Sequence, residues 1–109
     1  MTMKKSWEEI PFTQLPDMQR RIFTGENVML VRNTIKPHSV LDSHSHPHEQ
    51  ILYVLGGQCT ATLAGEAHYL KAGDMLLIPG GTEHQITATG DGELIALDIF
   101  SPIRKDFLE

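Results

Sequence analysis

Apolar and polar residues alternate with a period of two in short runs along the chain, and each run is cut by turn residues. The runs NVMLVRNTI (27–35), QILYVLG (50–56), QCTATL (58–63), DMLLI (74–78), HQITAT (84–89) and ELIALDIF (93–100) are rich in Val, Ile, Leu, Tyr and Thr. Between them stand TGEN, Gly56-Gly57, AGE, KAGD, PGG and TGDG. Strands of this length, with turn signals every ~8–12 residues, predict an all-β sandwich or barrel. The stretch SWEEI predicts a helix start, with Ser6 as cap and Glu9 at the third helical position, which Pro11 ends at once. There is no internal repeat, low-complexity tract or linker, and 109 residues predict one domain over 1–109. Trp7, Ile10, Phe12 and Leu15 are too apolar to sit in water. The N-terminal segment 1–20 is therefore expected to lie over the barrel or against a partner subunit.

Composition narrows the function classes. The net charge of −5 is spread along the chain, and basic residues adjoin only at MKK, RR and RK. That pattern argues against nucleic acid, which needs clustered Lys and Arg, and a small anionic ligand would need a local arginine. No apolar run reaches the ~18 residues of a membrane span, so no membrane partner is expected. MTMKKSWEEI has lysines but no apolar stretch behind them, unlike a secretory signal. The single cysteine, Cys59, reads as a small buried apolar residue, and a cytoplasmic location is expected.

The chemistry concentrates in SHSHPHEQ, residues 43–50, which holds three of the six histidines. Strand residues two apart face one way, so His44 and His46 are placed to meet on one cation at bonds of ~2 Å. Gln50 shares their parity, but four extended residues span roughly 13 Å, too far for a common ligand shell. The chain must therefore turn at Pro47-His48-Glu49, and Pro47 supplies the reason because it lacks a ladder N–H. Gln50 then opens the returning strand and points back at the rings. His48 falls in the turn, at the rim or in solvent. Glu49 points away from Gln50, although a one-residue shift would make it the carboxylate ligand. His68, in EAHYL, is expected on the outer face.

A second stretch, GDMLLIPGGTEH (73–84), completes the pattern. Together the two resemble the paired motifs of the cupin family. His44, His46, Gln50 and Gly57 match the first, G-x5-H-x-H-x3/4-E-x6-G; Gly73, Pro79, Gly81 and His84 match the second, G-x5-P-x-G-x2-H-x3-N. His38 replaces the first motif's glycine, Ala88 the second's asparagine, and Gln50 the glutamate. The resemblance implies an all-β cupin jelly roll, the double-stranded β-helix. It implies one divalent transition metal per chain (Mn, Ni, Zn or Fe) on His44, His46, Gln50 and His84. It also implies a homodimer. A neutral shell of imidazoles and amide leaves the cation's full charge to polarise a substrate.

The fold alone names no reaction. Asp98 interrupts an apolar strand on the face shared by Leu94, Ala96 and Phe100, and an inward carboxylate is costly unless paired or functional. The ending DIFSPIRKDF (98–107), with HSHPHEQ, resembles the pectin-degradation cupins. These convert 4,5-unsaturated monouronates from pectin or alginate breakdown into linear keto acids. The similarity runs from about Pro37 to Phe107. It implies a small sugar-acid substrate, with Asp98 as acid–base, Phe100 against the ring and Arg104 on the carboxylate, where a guanidinium fork pairs both oxygens. Arg104 also has a plainer possible partner in Asp106. Near a cation and an arginine, Asp98 is expected to favour its charged form. A non-catalytic cupin binding a sugar acid or another metabolite, and an iron-dependent dioxygenase, are the competing readings.

Overall fold

The computed structural model describes residues 3–109, so the first two residues of the segment 1–20 lie outside it. The alternating runs form strands: β1 (Thr13–Leu15), β2 (Met18–Thr24), β3 (Met29–Ile35), β4 (Glu49–Gly56), β5 (Gln58–Leu63), β6 (Glu66–Lys71), β7 (Met75–Ile78), β8 (His84–Thr89) and β9 (Leu94–Ser101). A six-stranded sheet runs β1-β2-β3-β9-β4-β7 and a three-stranded sheet runs β6-β5-β8, with every pairing antiparallel. The two sheets make the jelly roll, and period two decides what each strand buries. In β3, Met29, Val31, Asn33 and Ile35 are buried and the residues between them are not; β9 does the same with Leu94, Ala96 and Phe100. The inward faces meet in a core that includes Leu52, Val54, Ala61, Ile78, Ile86 and Leu94. Met29, Val31 and Phe100 form a second cluster, packed against Ile22, Ile103 and Phe107.

The N-terminal expectation resolves into one 3-10 turn, Trp7–Glu9, and the Ser6 side chain makes no capping hydrogen bond. Arg21 Nη1 donates to the carbonyls of Trp7 (2.7 Å) and Ile10 (2.9 Å), tying the turn against the outer side of β2, where Ile10 is buried. The strands β1 and β2 were not legible in the sequence. MQRRIFT places two arginines side by side, which hides an alternation that sends Arg20 inward and Arg21 outward.

Cys59 is buried and free, and burial pushes its thiol up to about 11. His68 corrects the sequence expectation. Cross-strand partners share a face, and His68 pairs with Ala61, whose side chain lies in the core. His68 is therefore half-buried on the inward side, and Tyr69 takes the outward position. Reading EAHYL by polarity alone gives the wrong phase. Among the described residues, no helix is long and apolar enough to cross a membrane.

One left-handed residue and one close backbone approach stand out in the loops. His38, standing where the motif has glycine, keeps a left-handed backbone at φ 64°. Gly80 lies against Pro47 so closely that a Cβ there would overlap the Pro47 carbonyl oxygen, and the next residue, Gly81, donates its N–H to the His46 carbonyl at 2.8 Å. The turn after β7 thus presses on the His46-Pro47 bend. Gly80→Ala should cost about 1–3 kcal/mol through overpacking. A melting curve of the metal-free variant that matches wild type would contradict this close approach.

Candidate metal centre

His44 belongs to no regular strand, and neither does His46. Their rings converge for another reason than strand parity. His44 and His84 exchange backbone hydrogen bonds of 3.0 and 2.9 Å, which brings their rings edge to face 4.3 Å apart, while Gly81 fixes the His46 carbonyl from the neighbouring turn. The His46 ring lies 5.0 Å from that of His84 and 5.6 Å from that of His44. One ligand nitrogen from each of the three lies within 4.8 Å of the others. The chain bends at Pro47-His48, and β4 begins at Glu49, which is exposed, whereas Gln50 is buried and faces the rings. His48 is half-buried beside His46, with ring centroids 5.4 Å apart, and lies outside the three-histidine cluster.

Each imidazole is oriented by a backbone carbonyl. The Nδ1 atoms of His44, His46 and His84 lie 3.1, 3.1 and 2.8 Å from the carbonyls of Asp42, His48 and Thr82. A carbonyl only accepts, so each Nδ1 carries the proton and each Nε2 keeps its lone pair. His84 Nε2 is buried with no hydrogen-bond partner. His46 Nε2 faces Gln50 Oε1 at 3.0 Å, and the Gln50 amide is itself oriented because its Nε2 donates to Asp98 Oδ1 at 2.8 Å. Two acceptors then point at each other. A divalent cation resolves both facts, since it takes the lone pairs of the three Nε2 atoms and of Oε1 together. His44, His46, Gln50 and His84 fit such an ion. Burial, reinforced by the Arg104 charge, holds the His46 imidazole below its ordinary value, and burial does the same for His84.

Behind Gln50 stands Asp98, whose face does point inward. Its second oxygen accepts from Asn33 Nδ2 at 3.0 Å. A line of side chains thus crosses the inner face of the large sheet, from Asn33 on β3 through Asp98 on β9 and Gln50 on β4 to His46. The protein's own surroundings raise the carboxyl's proton affinity, so that it stays mostly charged at neutral pH but lies close to titrating. Burial raises it to about 6, outweighing the opposing effects of Gln50, Arg20 and Asn33. Asn33 was missed in the sequence, yet it was legible by the rule that found Asp98, since it is the polar residue among Met29, Val31 and Ile35.

Phe100 is buried and meets the His46 ring edge-on at 5.5 Å. Arg104 is also buried, but its fork is occupied: Nε and Nη2 donate to the two oxygens of Asp106 at 3.1 and 2.8 Å. Its guanidinium lies 4.1 Å from the Phe107 ring and 5.1 Å from that of Phe100. The sequence also gave no notice of Arg20, which reaches the same Phe107 ring at 4.1 Å.

Comparison with known proteins fits this geometry. A cupin domain model matches residues 31–100. The structure of KdgF from a Halomonas species is 30% identical, with a TM-score of 0.86 over 95% of this chain and 99% of that one. An RmlC-like cupin from Shewanella frigidimarina shares the fold, with a TM-score of 0.89 at 24% identity over 98% of this chain and 96% of that one. The SchB protein of Streptomyces halstedii is 35% identical over 60 residues, which are 54% of this chain and only 44% of SchB.

Elemental analysis of the purified protein should find about one transition metal per chain. His46→Ala and His84→Ala should each lose most of it. Because both imidazoles are depressed, protons should displace the metal only below the ordinary histidine value of 6.5. Full metal loss above that pH, or variants that retain the metal, would contradict the assignment.

Proposed function

The chain belongs to the cupin family, and from that premise we propose a metal-dependent enzyme that opens 4,5-unsaturated monouronates to linear keto acids. The observation that carries this reading is Asp98, a carboxyl kept inside the barrel, raised to about 6 and joined through Gln50 to the histidine cluster. The likeness to KdgF and the DIFSPIRKDF ending support it.

The reaction is an isomerisation. The ring hemiacetal gives up its C1 hydroxyl proton and the bond from C1 to the ring oxygen breaks, leaving an aldehyde and, once that oxygen takes up a proton, an enol. The enol then passes its O–H proton to solvent or to a side chain, takes a proton on C4 and becomes a ketone. Protons leave oxygen and one arrives at carbon, so a group titrating near neutrality suits the work. Asp98 fills that role: Gln50 and Asn33 hold its oxygens and burial keeps its proton affinity high. A metal bound by His44, His46, Gln50 and His84 supplies positive charge that polarises the sugar's oxygens. Phe100 packs against the ring and excludes water. Arg20, beside the Asp106-paired Arg104, gives the mouth the positive charge that a uronate needs against an acidic chain.

The assay is the loss of the conjugated double bond's ultraviolet absorbance, compared with buffer and with free metal. Asp98→Ala should keep its metal and lose about 10²–10⁴ in rate, the usual share of a positioned acid–base group. Metal-loaded wild type that never exceeds the background would contradict the reaction. Oxygen uptake would then point to a dioxygenase, and sugar-acid binding alone to a sensor.

The protein is further proposed to act as a homodimer. On the outer side of the large sheet, Ile51 pairs with Leu77 and Ile99, and Tyr53 with Met75 and Leu97. Ile51, Met75 and Leu77 are exposed there, making an apolar face of the kind that a second copy covers. Light scattering after size exclusion should give twice the chain mass, and Leu77→Glu should halve it; a wild-type monomer at micromolar concentration would refute the dimer.

A further inference from the structure

The site has two arginines, and they are not equivalent. Both guanidinium groups lie 4.1 Å from the Phe107 ring. Arg104 is neutralised by Asp106 through two charge-assisted hydrogen bonds, which fill one edge of its fork. Arg20 makes no hydrogen bond and no ion pair among the described residues, and its Nε is buried without a partner. Asp98 acts on Arg20 through its charge alone, since the hydrogen bonds its two oxygens accept come from Gln50 and Asn33.

The placement of Arg20 is fixed by register. It sits opposite Asn33 in the β2–β3 ladder, so the two side chains share the inward face. Asn33 in turn bonds to Asp98. Arg20 therefore stands two strands beyond the acid–base carboxyl, on the side away from the histidines. A bound molecule lying between the histidine cluster and Phe107 would meet Phe100 and Asp98 along its length and a guanidinium at its far end. An uncommitted, half-buried fork has one natural complement, a planar carboxylate that accepts two N–H donors.

We infer that Arg20 is the specificity-determining residue that receives the ligand's carboxylate, while Arg104, held by Asp106, forms the wall beside it. The inference rests on the uronate reading only in requiring a ligand with a carboxylate. It departs from the role that the family resemblance gives Arg104.

The test is calorimetric titration of the metal-loaded protein with galacturonate, a stable saturated uronate, and with its uncharged methyl ester. Arg20→Gln should weaken galacturonate binding about 10- to 100-fold, the worth of a charge-assisted pair. The same variant should leave the weaker methyl-ester binding unchanged. Arg20→Lys keeps the charge but loses the fork, so it should fall between wild type and Arg20→Gln; it also serves if Arg20→Gln does not fold. Arg104→Gln should weaken galacturonate less than Arg20→Gln does. Galacturonate affinity that is unmoved by both Arg20 substitutions, a full loss in Arg104→Gln, or no galacturonate binding by wild type would each overturn the inference. Failure of the proposed reaction reads differently: normal, Arg20-dependent galacturonate binding with no acceleration of ring opening.

Discussion

A carboxylate inside an apolar barrel needs donors, and the way Asp98 finds them organises the rest of this site. The two amides flanking it, Asn33 and Gln50, each give one N–H to one of its oxygens. An unmet buried acceptor costs about 1–3 kcal/mol, so neither amide is free to turn over. For Gln50 this has a consequence on its other side. With its N–H committed to Asp98, its oxygen must face His46, whose Nε2 has no proton to offer. The same contact that satisfies the carboxylate therefore leaves a lone pair aimed at a lone pair, which a cation resolves. The buried carboxyl and the candidate metal ligands are in this sense one construction.

The barrel supplies the rigidity this construction needs. Asn33, Asp98 and Gln50 lie on three adjacent strands, β3, β9 and β4, whose pairing fixes their spacing across the sheet. His44 and His84 are fixed to each other by backbone hydrogen bonds, and His46 is fixed by Gly81. No member of the cluster depends on a long, mobile side chain. Function then sits at one end of an otherwise ordinary core, where Phe100 borders both the apolar packing and the His46 ring.

Much of this was legible beforehand because β-structure writes its inward face into alternate residues. The reversal at Pro47, the inward Gln50 and the marked position of Asp98 follow from period two and a proline, whereas the histidines, legible by their spacing, are brought together by backbone bonds to His84 and Gly81. What escaped was governed by partners rather than by period. The β2 run looked polar because adjacent arginines serve opposite faces, so Arg20 went unseen. The phase of β6 was inverted because Tyr69, an apolar residue by composition, faces outward. The sequence also did not convey how far the desolvation of Asp98 outweighs the donors and charges of the side chains around it. For Arg104 the sequence left two partners open, a ligand carboxylate and Asp106, and the structure places Asp106 in its fork.

The most direct test of this linked construction is anomalous diffraction from crystals of the protein loaded with manganese or nickel. A single peak should lie within bonding distance of the Nε2 atoms of His44, His46 and His84 and of Gln50 Oε1, with Gln50 Nε2 still donating to Asp98. A peak elsewhere, no peak, or a Gln50 amide turned away from both the metal and Asp98 would contradict it.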